Sequence, residues 1–140
     1  MNNSDLAVSC FKEGFSCSQA ILSTYGQGLG MDKCTALKIS APFGGGMARM
    51  GETCGAVTGA FMALGLKHAA GKESKEKLYA LINEFAAKFK ARNGSILCRE
   101  LLGYDISSPE GMKVIKKKGL VDTLCPKLVK DAAEILEDIL

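Results

Sequence analysis

The chain has one histidine, three prolines and few aromatic residues, and nowhere does it place two cysteines in a CxxC pair. Each shortage removes a class of site. A lone histidine, His68, rules out a bis-histidine haem or a histidine-rich zinc site built within one chain, and it reads as a partner for the C-terminal end of its helix. Without CxxC there is no zinc ribbon, thioredoxin motif or ferredoxin-type run, and the CxxCH haem-attachment motif is missing too. No arginine-rich stretch with interleaved aromatics supports nucleic-acid binding. No Ser/His/Asp set stands out. The most apolar segment, Thr53 to Leu66, lacks charge but is too short to span a bilayer. The N-terminal residues MNNSDLAVSCFKEG lack the pattern of a signal peptide, so the expected location is the cytosol. No segment alternates apolar and polar residues long enough to predict a strand.

What remains is apolar and helical. Hydrophobic residues make up 47% of 140, and the net charge is only +3. Length and composition predict one all-α domain over residues 1–140, a helical bundle around a central apolar helix at about 53–67. The other predicted helices cover 5–13 (capped by Ser4), 17–25 (capped by Ser16), 32–41, 74–92 (capped by Ser74), 96–102 and a segment from Ser108 and Pro109 to Gly119. The last is expected to begin at Pro126, with Leu128, Ala132, Ile135 and Ile139 as its buried stripe. The helices at 78–92 and 126–140 are expected to surround the central one. Lys116, Lys117 and Lys118 read as complements to a helix dipole. A short, apolar chain poor in aromatics favours a homodimer.

Cysteine is the exception to the scarcity. There are six, and four of them, Cys17, Cys54, Cys98 and Cys125, fall where helices are predicted to start. A first helical turn carries unsatisfied N–H groups and partial positive charge, which favour thiolate over thiol. Cys125 precedes Pro126, which pushes it out of helical geometry and makes it the expected N-cap. In a reducing compartment such a set points to metal or redox chemistry more than to structural disulfides, although ordinary buried cysteines are the alternative. Cys10 and Cys34 fall inside helices and read as small apolar filler. On the central helix Gly55, Gly59 and Ala63 recur every four residues. Tight helix packing explains such a stripe; a cofactor lying on it is the sharper reading. The segment GMARMGET, residues 46–53, resembles a phosphate loop but puts Glu52 where lysine must stand.

The segment GETCGAVTGAFMALGL resembles the signature of the family named for its C_GCAxxG_C_C cysteine pattern and described as putative redox-active protein, with Thr53 before Cys54 and Gly55 after it. FSCSQAIL, LCRELLGYD and LCPKLVKDAAEILEDIL resemble its other cysteine segments in order, and FGGGMARMGE fits the stretch before the central motif. The resemblance covers nearly the whole chain. It implies a redox role, with a prosthetic group such as an iron–sulfur cluster held by Cys17, Cys54, Cys98 and Cys125 and flanked by Gly55 and Gly59. The leading expectation is therefore electron transfer through a four-cysteine metal or iron–sulfur site, with a redox partner that the sequence does not identify. A thiol–disulfide protein with Cys54 as the catalytic thiolate, and a non-catalytic four-cysteine zinc site, are the alternatives.

Overall fold

A computed structural model describes all of residues 1–140. It is one all-α domain of eight helices with no strand. In chain order these are α1 (Asn3–Lys12), α2 (Cys17–Gly26), α3 (Lys33–Ser40), α4 (Gly55–His68), α5 (Lys75–Asn93), α6 (Cys98–Leu102), α7 (Pro109–Lys118) and α8 (Leu120–Ile139), with a glycine-led turn at Gly44–Met47. No helix is long and apolar enough to cross a membrane.

Local chemistry sets most boundaries. Ser16 accepts a hydrogen bond from the Gln19 N–H, and the Gln19 side chain accepts one from the Ser16 N–H, so α2 starts on a capping box. Asp32 caps α3 and Ser108 caps α7 through Gly111, with Pro109 in the first turn. Two expected caps differ. Helix α1 starts earlier, on Asn2, whose side chain forms a capping box with Asp5, while the Ser4 hydroxyl donates to Asn2. Ser74 stands at the N-cap of α5 as expected but makes no side-chain cap bond; its hydroxyl donates to the Gly71 carbonyl and accepts from the Ala70 N–H, closing the turn before the helix.

The largest departure is at the C-terminal helix. It begins at Leu120, not Pro126, so Cys125 is an interior helical residue and not an N-cap. Gly119, at φ +63°, ends α7 and starts α8. Proline removes one intrahelical hydrogen bond and crowds the preceding turn. Here the extra turn is held because Leu120, Val121 and Leu124 pack on a small core of Cys98, Leu102, Ile106 and Ile115. That burial outweighs the preference of proline for an extended neighbour.

The main core gathers α1, α2, α4, α5 and α8 around Ile21, Leu22, Val57, Leu64, Phe85, Phe89, Val129 and Leu136. Phe85 stacks on Phe89 and meets the edge of Phe61. Helix α4 is central, and α5 and α8 pack on it as expected, but its tightest neighbour is α2. The glycine stripe explains this. A Cβ on Gly59 would lie 2.9 Å from the Ser18 carbonyl oxygen and 3.0 Å from the Ile21 Cβ, so the two backbones meet where no side chain intervenes. The stripe is a packing surface for α2.

Candidate functional site: a four-thiol cleft

The small core sits beside the main one, and Cys125 packs against both. At the seam between them opens a cleft of about 960 Å³. Cys17, Cys54, Cys98 and Cys125 all line it, and so does Gly55. Gly59 does not; its open side is filled by α2. Cys10 lies in the core, its sulfur 3.6 Å from the Ser23 hydroxyl, and Cys34 is exposed on α3, so only the first behaves as filler.

Each thiol is brought there by a different device. Cys17 is the first residue of α2, behind the Ser16 cap. Cys54 is the N-cap of α4. Its segment is joined to that of Cys98 by a backbone bridge: the Cys54 N–H donates to the Ile96 carbonyl at 2.8 Å, the Cys98 N–H to the Glu52 carbonyl at 2.6 Å, and Thr53 pairs with Leu97. Arg99 and Glu52 add an ion pair at 3.2 Å. The glycine turn supplies another wall. A Cβ on Gly46 would lie 2.7 Å from the Cys98 Cβ and 2.7 Å from the Glu52 nitrogen, so position 46 must be glycine for the walls to close. Cys125 arrives on the second turn of α8, ahead of Pro126.

Cys17 is the hub of the group. Its thiol neighbours both Cys125 and Cys54, and hydrogen bonding to these sulfurs, Cys125 first, together with burial, raises it well above the ordinary thiol range. Cys54 is shifted the other way. The Cys17 thiol donating to it is the main cause, and the Ala56 and Val57 N–H groups of the first turn add to it against the cost of burial. Cys98 is pushed up to about 12, chiefly by burial and then by repulsion from Cys54, Cys125 and Asp105. The helix-start argument therefore holds for Cys54 alone. At Cys98 burial outweighs a short helix, and Cys125 is not at a helix start.

The opposite shifts make Cys54 the more acidic thiol of the pair and Cys17 the one that releases its proton later. Cys54 should therefore be alkylated by iodoacetamide with a pH midpoint below that of a free cysteine, about 8.5. Because the thiolate appears earlier as pH rises, Cys54 is ahead of a peptide thiol at neutral pH. Cys17→Ala removes the largest cause and should move the midpoint up, as read by site-resolved mass spectrometry; an unchanged midpoint would refute Cys17 as that cause.

The donor set is all sulfur, which suits thiolate chemistry or a soft metal. The side chains do not suit a single ion, because no three Cys, His, Asp or Glu groups stand in an arrangement that could hold one. Two features of the cleft escaped the sequence reading. Lys12, Arg49 and Lys116 also line it, and the run Gly45 to Arg49 has positive φ throughout. Lysine at a helix end reads equally well as a dipole complement, and no residue preference marks a left-handed turn containing Met47, Ala48 and Arg49.

Fold and site together describe an all-α protein whose distinguishing chemistry is a set of cysteines gathered on one cleft. The chain belongs to the family described as putative redox-active protein (C_GCAxxG_C_C), whose model matches residues 15–139. Comparisons with curated proteins and with solved structures found no match.

Proposed function

We propose that this is a thiol–disulfide redox protein in which Cys54 attacks and Cys17 resolves. The observation that carries the reading is that Cys17 and Cys54 stand at the starts of two closely packed helices on one cleft, where a Cβ on Gly55 would lie 3.3 Å from the Cys17 Cβ, and that the two thiols shift in opposite directions, Cys54 down and Cys17 up. The Cys54 thiolate attacks one sulfur of a substrate disulfide and forms a mixed disulfide, and the other half leaves as a thiolate. The proton held by Cys17 passes to that leaving thiolate. The Cys17 thiolate then attacks the Cys54 sulfur, expels the second half as a thiolate that takes a proton from water, and leaves a Cys17–Cys54 disulfide. Two electrons pass from the protein to the substrate. Cys125, which also neighbours Cys17, would reopen that bond by attacking Cys17.

A second reading is a thiolate-bound iron–sulfur cluster serving electron transfer. It is favoured by one observation: Cys17, Cys54, Cys98 and Cys125 line the same cleft. These four residues would be its ligands, and the cluster would supply one-electron chemistry.

One preparation separates the two. Protein purified without oxygen and then treated with a small excess of disulfide is expected to be colourless, free of iron and sulfide, and to yield a Cys17–Cys54 linked peptide. A brown protein with stoichiometric iron and sulfide would replace the first reading with the second.

A further inference from the structure

We infer that the substrate of the cleft is a low-molecular-weight disulfide carrying carboxylates, and that Lys12, Arg49 and Lys116 recognise its charge. This deepens the thiol–disulfide reading and rests on it. The three cations line the cleft with a single acid, Asp122. None of the four takes part in the protein's ion pairs, which join Lys88 to Glu84, Arg92 to Asp131 and Glu134, Arg99 to Glu52, and Lys127 to Asp131. Apolar residues, Phe11 and Phe15 among them, line the cleft as well. An excess of unneutralised positive charge on a partly apolar cleft attracts small anions and raises their local concentration.

Arg49 is placed there by a strained backbone. Gly45, Gly46, Met47, Ala48 and Arg49 are consecutive residues at positive φ. For a residue with a Cβ this conformation costs roughly 1–2 kcal/mol. Hydrogen bonds from the Arg49, Gly51 and Glu52 N–H groups to the Gly44, Gly45 and Gly46 carbonyls hold the turn. A Cβ on Gly45 would lie 2.7 Å from the Arg49 Cγ, so the arginine stem lies across the bare glycine and both residues face the cleft. Strain of this kind persists where the surroundings over-determine it, and it gathers at functional sites. Here its product is an arginine on the wall of the thiol cleft.

The test compares three disulfides on the full chain carrying Cys34→Ser, which removes the exposed thiol. The probes are dianionic dithiobis(nitrobenzoate), neutral dithiodipyridine and dicationic cystamine. The readout is the rate constant of the combined Lys12→Gln, Arg49→Gln and Lys116→Gln variant divided by that of its parent, for each probe. At low salt the ratio is expected to fall about tenfold for the dianion, to stay near one for the neutral probe and to rise for the dication, with the differences shrinking as salt is added. Asp122→Asn should change the rates in the opposite sense, which keeps the proposal testable should the combined variant fold poorly. Equal ratios for all three probes would overturn the charge recognition and leave the thiol reading standing. Failure of the parent to react with any of the three would overturn both.

Discussion

Cys54→Ser is expected to slow reduction of a disulfide by the cleft by about a hundredfold or more, because a hydroxyl is not ionised at neutral pH and does not attack sulfur. The loss should come from the first chemical step, so no mixed disulfide forms. Cys17→Ser should behave differently. Its hydroxyl can still donate to the Cys54 sulfur, so the first step survives, but nothing adjacent resolves the product and a Cys54 mixed disulfide should accumulate. Cys17→Ala removes the donor as well, and both steps should slow. Cys10→Ser lies outside the cleft and should leave the rates within about threefold, as expected where neither the thiolate nor its access is altered. Stopped-flow rates and intact mass separate these cases. If Cys54→Ser reacts at the parental rate, or if mixed disulfide does not build up in Cys17→Ser, the assignment of attacking and resolving thiols is wrong.

Two glycines on α4 should respond to substitution with opposite sign. Gly59→Val is expected to destabilise the fold by about 1–3 kcal/mol, the cost of overpacking a close-packed interface. A side chain there drives into the Ser18 carbonyl and the Ile21 Cβ and forces α2 away from α4. A loss of 2 kcal/mol corresponds to a fall in melting temperature of roughly 5–10 °C for a chain of this size. The displacement also separates Cys17 from Cys54, because those residues open the same two helices. The pH midpoint of Cys54 should rise along with the loss of stability. Gly65→Ala, two turns further along, meets nothing within 4 Å and should stabilise by about 0.5–1 kcal/mol through helix propensity. Thermal and denaturant unfolding decide both. A stable Gly59→Val would mean that the helices are not in the close contact described.

The all-helical class was legible because the apolar residues follow helical spacing and Ser16, Asp32, Ser108 and Gly119 mark helix ends by local chemistry that the sequence itself carries. The same locality explains why Cys54 could be singled out: a sulfur at the first turn of a helix meets N–H groups supplied by the next few residues. Cys125 shows where locality ends. Proline after it argued for a helix start, and only the burial of Leu120, Val121 and Leu124 against residues of α6 and α7 carried the helix back to Gly119.

The gathering of the thiols belongs to the same second kind. Residues 52–54 and 96–98 are brought together by a backbone bridge with no side-chain signature, and the glycine turn brings Arg49 to the cleft through dihedral angles that its sequence does not announce. Helix propensities, caps and amphipathic faces act over a few residues, so the sequence alone determined most of the helical segments and singled out the cysteines as the candidate site. Which cysteines share a cleft and which charges line it with them depend on contacts between segments far apart in the chain, and those were decided by packing.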